Sequence, residues 1–272
     1  MKPELIFYNG ANLLEAVHYD RTTQILYFCA IRYNTIFAFN IKTLAITSYE
    51  TEGPVGNAIV DKNGNIYEAE KFGIYTINPK TFEKNFVAHI NPNPKMRYNH
   101  GVFDSKGRFL VDIMGDEERF PGKGGLYSLE NGKSTCLVYG TTVANGMGFS
   151  TDEKILYFTD TVTKKVMAYN YDIETGQVSN ERIAVELGES DGKPDGVFVD
   201  TDDMLWVTEW GGGKLCKWNP RTHEKLEEIK MPCDNVTSCC RGGENMEYMY
   251  VATAKTEPGD FAPAGGLFRI KV

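Results

Sequence analysis

Two segments, NGMGFSTDEKILYF at residues 145–158 and DGVFVDTDDMLW at residues 195–206, share one pattern. Each begins with a polar residue and a glycine, and each continues through an apolar stretch into a turn rich in Asp, Ser or Thr. A second apolar stretch follows the turn. Short apolar runs on either side of such turn residues are typical of antiparallel β-hairpins. The pattern therefore predicts paired strands in both segments.

The same pattern occurs in four further places along the chain. These copies start at Glu15, Gly56, Asn99 and Ser238, so that successive copies are 41, 43, 46, 50 and 43 residues apart. A period of roughly 40 to 50 residues, with two strands and a tight turn in each unit, is the signature of a β-propeller blade. Six such units use almost all of the 272 residues. We therefore predict an all-β fold, a six-bladed β-propeller that forms a single domain over residues 1–272.

The last blade lacks a fourth strand of its own. Third strands are recognisable in all six units, but candidate fourth strands follow only the first five. The segment ELIFY at residues 4–8 has strand character and precedes the first repeat. We predict that it pairs beside GLFRIKV at residues 266–272, so that the N-terminal strand closes the ring against the C-terminal blade. Such closure removes exposed sheet edges that would otherwise promote aggregation.

Charge and hydropathy restrict the classes of partner. The 37 acidic residues outnumber the 29 Lys and Arg residues, which gives a formal net charge of −8. An acidic surface argues against nucleic acid or an anionic membrane as a partner. Residues 1–20 contain no apolar core of signal-peptide length, and no window approaches the roughly 20 apolar residues that span a bilayer. We expect a cytoplasmic protein, and because no obligate interface is indicated, a monomer is favoured.

The first position of the repeat is polar in five of the six copies. It is occupied by Glu15, Asn99, Asn145, Asp195 and Ser238, and we call these residues the central column. Equivalent positions of propeller blades converge on the central axis, so the column should cluster on one face. Carboxylate and amide oxygens suit Ca²⁺, Mg²⁺ or Mn²⁺, and Zn²⁺ is less favoured without His or Cys. The column predicts either a site for a hard cation or a polar, water-filled channel.

Two long loops are expected over the same face of the propeller. They are the segments at residues 115–125 and 254–266, and each links a second strand to a third strand. Long loops above a convergent polar centre are typical of a ligand-binding mouth. The sequence therefore predicts a substrate pocket between these loops and the central column.

Four stretches carry a family resemblance. They are MRYNHGVFDSKGRF at 96–109, NGMGFSTDEKILYFTDT at 145–161, KPDGVFVDTDDMLWV at 193–207 and VTSCCRGGENMEYMYVATAK at 236–255. Together they resemble the senescence-marker-protein/gluconolactonase/luciferin-regenerating-enzyme family, whose best known members are regucalcin-type sugar lactonases. The resemblance covers residues 97–255 well and the first two blades weakly. The NG, PDG and TSCC motifs are specific because they occur together and in this order.

The resemblance implies a metal centre and a reaction. It implies one divalent cation, Ca²⁺, Mg²⁺, Mn²⁺ or Zn²⁺, held by Glu15, Asn145 and Asp195, which are three members of the central column. It also implies that Asp195, in the PDG motif, is the catalytic general base. The implied reaction is the hydrolysis of a sugar lactone, in which the cation polarises the lactone and a water activated by Asp195 attacks it.

The resemblance also implies substrate contacts. These fall on Arg97, Asn99 and Glu117, and the partner they imply is a small-molecule sugar lactone or a related cyclic ester. One departure lies beside them, because His100 stands where the family usually has an acid. His100 is therefore a further candidate substrate contact or proton carrier, or a histidine that is satisfied by a neighbouring carboxylate.

A second departure lies at the first proposed metal ligand. The family usually reads GEGP there, whereas this chain reads LEAV at residues 14–17. Neither departure changes the three implied metal positions, so both bear on the substrate more than on the reaction. Two alternative functions stay open at this point: a non-catalytic, calcium-binding regulatory protein of the regucalcin type, and a propeller phosphotriesterase.

Overall fold

Short strands, most of them joined by tight turns, build most of the described chain. The computed structural model describes residues 2–256 and 263–272. Its strands form six four-stranded antiparallel sheets, and this confirms the predicted all-β, six-bladed propeller. Of the predicted loop at 254–266, residues 257–262 lie outside the described part.

Each of the first three blades runs from an innermost to an outermost strand in chain order. The strands of blade 1 are β2 (Leu14–Asp20), β3 (Ile25–Ala30), β4 (Thr35–Asn40) and β5 (Ile46–Glu50). Those of blade 2 are β6 (Val55–Val60), β7 (Ile66–Glu70), β8 (Gly73–Ile77) and β9 (Lys84–Ala88). Those of blade 3 are β10 (Met96–Phe103), β11 (Phe109–Gly115), β12 (Gly124–Glu130) and β13 (Lys133–Thr141).

The next two blades repeat this order, and the last one uses both ends of the chain. The strands of blade 4 are β14 (Ala144–Phe149), β15 (Ile155–Asp160), β16 (Lys165–Asp172) and β17 (Gln177–Glu186). Those of blade 5 are β18 (Lys193–Val199), β19 (Leu205–Trp210), β20 (Lys214–Asn219) and β21 (Glu224–Lys230). Those of blade 6 are β22 (Asn235–Gly242), β23 (Tyr248–Ala254), β24 (Leu267–Lys271) and β1 (Glu4–Phe7).

Helical structure in the described residues is limited to two single turns. These 3₁₀ turns, Ile31–Tyr33 and Thr161–Thr163, each link the second strand of a blade to its third strand. No helix in the described ranges has the length and apolar character that crossing a bilayer requires.

Pairing of the two termini closes the ring. Strand β1 pairs antiparallel with β24, with Glu4 opposite Arg269 and Leu5 opposite Phe268. The Arg269 side chain adds a 2.7 Å hydrogen bond from Nη2 to Oε2 of Glu4. The predicted closure is confirmed, and it gives the last blade the fourth strand that its own repeat lacks.

Apolar side chains fill the spaces between adjacent blades. Between blades 1 and 2, for example, Tyr27 and Ile36 pack with Ala58 and Ile66 in one buried cluster. Side chains on the faces of packed sheets interdigitate in this way, and their removal from water is the main stabilising contribution. The blades are thus held face to face, while the polar column is left at the axis.

Glycines allow the innermost strands to approach one another around the axis. The six innermost strands contact one another in a closed ring, each with the innermost strands of the two adjacent blades. A Cβ added at Gly56 would lie 2.3 Å from the carbonyl oxygen of Tyr98, and one at Gly146 would lie 2.3 Å from the nitrogen of Val197. At Gly196 the nearest atoms would be 2.7 Å away. Any larger residue at these positions would push adjacent blades apart.

We expect the substitution Gly56→Ala to lower the free energy of unfolding by roughly 1–3 kcal/mol, because the added methyl meets backbone atoms that cannot move aside. The matched control is Gly188→Ala, since an added Cβ there meets only the flexible end of the Asp191 side chain, at 3.3 Å. Denaturant-induced unfolding of both variants measures the difference. Equal stability of the two variants would contradict the tight inner ring.

Candidate metal and substrate site

A β-bulge lies at the central column in every blade. Strand register shifts between Glu15 and His18, between Asn145 and Met147, and between Pro194 and Val197. Corresponding shifts occur in β6, β10 and β22. A bulge inserts an extra residue into one strand and redirects a side chain. The repeated bulge is the local feature that positions the column side chains at the axis.

One cavity gathers six of the seven predicted site residues. It has a volume of about 240 Å³ and opens on the face where the innermost strands begin. Its lining includes all the predicted metal ligands and three of the predicted substrate contacts: Glu15, Asn145, Asp195, Arg97, Asn99 and Glu117. Residues from the loop at 115–125 form part of the wall, as expected for a mouth over the column.

The fifth column residue, Ser238, takes a supporting position. It is absent from the cavity lining, and its hydroxyl accepts a hydrogen bond from the backbone nitrogen of Val17 at 3.1 Å. The hydroxyl also hydrogen-bonds the Glu15 carboxylate. Ser238 therefore links blade 6 to blade 1 and helps to orient Glu15.

Two carboxylates in the lining of the cavity are buried. Glu15 is 4% exposed and Asp195 is 2% exposed. Burial raises the pKa of Glu15 to about 7. Burial, and then the charge of Glu15, raise the pKa of Asp195 well above its usual range. The two buried carboxylates therefore repel each other when both are ionised.

The donor set fits a hard divalent cation. Oδ1 of Asp195 is buried and has no hydrogen-bond partner within the described residues. Asn145 lies beside it, hydrogen-bonds the Asp195 side chain, and donates from Nδ2 to Oγ1 of Thr161 at 3.2 Å. No cluster of three or more His, Cys, Asp or Glu side chains suited to a metal occurs in the described ranges. Two carboxylates and an amide instead match the all-oxygen preference of Ca²⁺, Mg²⁺ or Mn²⁺.

Arg97 and Asn99 form a rigid pair next to the carboxylates. Nη1 of Arg97 donates to Oδ1 of Asn99 at 2.6 Å and to the carbonyl of Tyr98 at 3.0 Å. Nδ2 of Asn99 donates in turn to the carbonyl of Ala144 at 3.1 Å, in the next blade. A buried guanidinium held in this way is pre-oriented to meet polar groups of a ligand.

An acidic anchor in the loop at 115–125 was missed by sequence reasoning. Asp116 is buried, and it accepts hydrogen bonds from Nη1 of Arg32 at 2.6 Å and from Nζ of Lys71 at 2.8 Å. Burial raises the pKa of Asp116, but the two hydrogen bonds outweigh this effect and hold the pKa below its usual value. Nε of Arg97 is 3.8 Å from Oδ1 of Asp116. Asp116 thus ties blades 1, 2 and 3 together around the mouth, whereas the predicted Glu117 is exposed at its rim.

His100 lies away from the other predicted substrate contacts. It lines a second cavity, of about 650 Å³, at the opposite mouth of the axial channel. Its backbone nitrogen donates to Oδ1 of Asp112 at 3.1 Å, and Nδ1 of its ring has no partner among the described residues. The bulge in β10 lies between Tyr98 and Gly101, and it separates Asn99 on one side of the column from His100 on the other.

The burial of His100 predicts a pH dependence of stability. Burial lowers the pKa of His100 from 6.5 to about 4, so the folded protein keeps the ring neutral. The unfolded chain binds a proton below pH 6.5, and the stability contributed by this site is therefore lost as the pH falls from 6.5 towards 4. We expect His100→Gln to flatten the fall in unfolding free energy over this range.

Denaturant titrations at a series of pH values between 6.5 and 4 measure this slope. The control is His89→Gln, since His89 is exposed just after the end of β9. Burial also lowers the pKa of His18 to about 4. His18 therefore contributes to the pH dependence of stability equally in both variants. An unchanged slope in His100→Gln would show that this ring is solvated in the folded protein.

Ala16 belongs to the segment LEAV at residues 14–17, which stands where the family usually reads GEGP. Its φ angle is 53°, in the left-handed region, and its backbone nitrogen donates to Oε2 of Glu15 at 3.1 Å. The left-handed conformation costs a residue with a side chain roughly 1–2 kcal/mol, and glycine avoids this cost. The alanine therefore keeps the backbone geometry that presents Glu15, at some expense in stability.

We expect Ala16→Gly to raise the free energy of unfolding by about 0.5–1 kcal/mol, because relief of the strained φ exceeds the extra entropy of the unfolded glycine. The control, Ala58→Gly, replaces a buried alanine of β6 that has no positive φ, and it should lower stability. Both variants can be compared by chemical denaturation. A loss of stability in Ala16→Gly similar to that of the control would contradict the strain at position 16.

Comparison with known proteins places these features in one family. The family model described as the SMP-30/Gluconolactonase/LRE-like region matches residues 13–255. Regucalcin from Xenopus laevis is 28% identical over 285 residues, an alignment that covers 99% of this chain and 94% of that protein.

Two solved structures superimpose closely on this chain. A luciferin-regenerating enzyme has a TM-score of 0.89 and 25% sequence identity, with 96% of this chain and 92% of the other covered. The calcium-binding protein regucalcin from Agrobacterium tumefaciens has a TM-score of 0.91 and 19% identity, with 98% and 92% covered, and at that identity the likeness concerns the fold. The chain belongs to the SMP-30/gluconolactonase/LRE-like family.

Proposed function

We propose that the protein is a metal-dependent hydrolase that opens a sugar lactone. The observation that carries the proposal is the pair of buried carboxylates, Glu15 and Asp195, whose pKa values are both raised and which share a cavity with Asn145. Burying two carboxylates in one cavity lowers the stability of the folded protein, so such a pair is typical of a site that binds a cation or catalyses a reaction. Membership of a family described by its gluconolactonases supports the choice of a lactone.

The size and the lining of the cavity support a small polar substrate. Its volume of about 240 Å³ lies just below the range of roughly 300–1,000 Å³ that is common for small-molecule sites. Arg97 offers a fixed guanidinium at the wall, and Glu117 adds an exposed acid at the rim. Hydrogen-bonding groups of both signs suit a ligand that carries several hydroxyl groups, as a sugar lactone does.

The chemistry follows from the positions of the side chains. Glu15, Asn145 and Asp195 would hold the cation, which when bound polarises the lactone carbonyl as a Lewis acid. The Asp195 carboxylate accepts a proton from a water molecule, and the water oxygen bonds to the carbonyl carbon. The bond from that carbon to the ring oxygen breaks, and Asp195 returns the proton to the ring oxygen. One lactone and one water thus yield one hydroxy acid.

The roles of Arg97 and Asn99 are to bind and orient the substrate. The Arg97 side chain is fixed by Asn99 and Tyr98, so it loses little freedom when a ligand binds. Asp116 holds Arg32 and Lys71 beside it and thereby fixes the loop that forms this side of the mouth. The pocket is therefore formed before the substrate arrives.

We expect Asp195→Asn to lower kcat/KM for glucono-1,5-lactone at least about 100-fold, because general-base catalysis typically contributes 10²–10⁴-fold. The measurement is a pH-indicator assay of metal-stripped protein to which Ca²⁺, Mg²⁺, Mn²⁺ or Zn²⁺ is restored separately, with spontaneous opening subtracted. The control is Asp152→Asn, which removes an exposed carboxylate in a turn of blade 4.

Three outcomes separate the possible functions. Metal-dependent turnover that is lost in Asp195→Asn supports the lactonase. Metal binding by calorimetry without turnover of any lactone would favour a calcium-binding role, as the name of the Agrobacterium protein indicates for that relative. Turnover of an organophosphate triester in preference to lactones would place the chemistry at phosphorus instead.

A further inference from the structure

The cavity contains a cross-strand pair that the proposed metal and substrate residues do not use. Lys193 is the first residue of β18 and Trp210 is the last residue of β19, and the two lie directly opposite each other in the antiparallel ladder. Side chains that face each other across such a ladder lie on the same side of the sheet. Both residues line the cavity that contains Asp195.

Among the residues that the structure describes, the ammonium group of Lys193 has no counter-charge. It is half-buried, and within the described residues it forms no ion pair and no side-chain hydrogen bond. Every other partly buried lysine of the described chain has a carboxylate or carbonyl partner: Lys71, Lys84, Lys164, Lys165, Lys214, Lys217, Lys225 and Lys255. A half-buried charge without a partner is costly, so Lys193 is the exception that requires a reason.

Two of the three other cations of the cavity wall are already engaged. Arg32 pairs with Asp116 at 2.6 Å, and Arg97 bonds Asn99 at 2.6 Å. Arg119 is exposed in the loop at 115–125, next to two exposed glutamates. Within the described ranges, Lys193 is therefore the half-buried cation of this wall that is free to meet a ligand.

Lys193 lies at a distance from Asp195 along β18, so it would meet a part of the ligand away from the reacting carbonyl. It begins β18 at the mouth and lies two residues before Asp195, about 6–7 Å along an extended strand. Lys193 would therefore contact a substituent at the far end of the ligand.

Trp210 supplies the complementary surface for a sugar ring. It is partly buried, and it presents a flat aromatic side chain beside the Lys193 stem. Aromatic rings cover large apolar areas with little loss of freedom on binding, and the C–H face of a sugar can lie against them. A ring held against Trp210 would direct one substituent towards the ammonium group.

We propose that Lys193 and Trp210 form a subsite for an anionic substituent, so that the preferred lactone carries a carboxylate or a phosphate at the end opposite its carbonyl. The inference rests on the proposed lactonase function and names its substrate class. A divalent cation held by Glu15, Asn145 and Asp195 would offset the two negative charges of the carboxylates. The remaining cations of the wall would then favour a negatively charged ligand.

The test compares three lactones of one six-carbon sugar acid: the neutral 1,5-lactone and the same lactone with a carboxylate or a phosphate at carbon 6. For the wild type we expect kcat/KM to be at least about tenfold higher for one of the two anionic lactones. Lys193→Met should remove this advantage and leave the neutral lactone within about twofold of the wild type. Lys193→Arg should retain the preference.

The matched control is Lys123→Met, which removes the same charge from an exposed lysine of the loop at 115–125 outside the cavity lining. If Lys193→Met reduced turnover of all three lactones equally, Lys193 would act on the reacting ester and the inference would fail. The inference would also fail if the wild type showed no preference for an anionic lactone.

Binding supplies a readout that does not depend on turnover. The open-chain hydroxy acids are compared with and without the carboxylate or phosphate at carbon 6. The acid that carries the anionic group should quench tryptophan fluorescence at lower concentration, and the quenching should disappear in Trp210→Phe. Of the three tryptophans, Trp206 and Trp218 are buried away from the cavity, which assigns the signal to Trp210. If no lactone were opened, the proposed function would fail, while equal affinity for the two acids would refute the subsite separately.

Discussion

The close backbone contact of the six innermost strands is the constraint on which the rest of the molecule depends. At Gly56, Gly146 and Gly196 the adjacent blades come so near that no side-chain carbon fits. This contact sets the width of the axial channel, and the channel width sets how closely residues from different blades can face one another. Glu15 and Asp195 belong to blades 1 and 5, and it is this narrow ring that makes them electrostatic neighbours.

The repeat made the fold and the axial residues predictable. Six copies of one pattern implied the blade number, and the missing fourth strand of the last copy implied the closure by residues 4–8. Both depend on local periodicity, which a sequence displays directly. Four of the five column residues were brought into one cavity as expected, because a position that recurs in every blade has only one place in the ring.

Contacts between loops of different blades were not predictable in the same way. Asp116 meets Arg32 and Lys71, which lie 84 and 45 residues away in the chain, and no periodicity relates these three positions. The position of His100 was also not predictable. Its segment clearly resembles the family, but the resemblance does not show which mouth of the axial channel the His100 side chain faces. A bulge adds one residue to a strand, and a shift of one residue moves a side chain to the other side of the sheet.

Closure of the ring by β1 also has a consequence for biosynthesis. Residue 4 and residue 269 are 265 positions apart, so the first strand leaves the ribosome long before its partner exists. At a synthesis rate of about 5–20 residues per second, that interval lasts on the order of tens of seconds. Throughout it, β1 has no neighbour in a sheet, and the first and last blades cannot dock. The nascent chain is thus an open arc until β24 has emerged, and during this interval its unpaired strand edges are accessible to molecular chaperones.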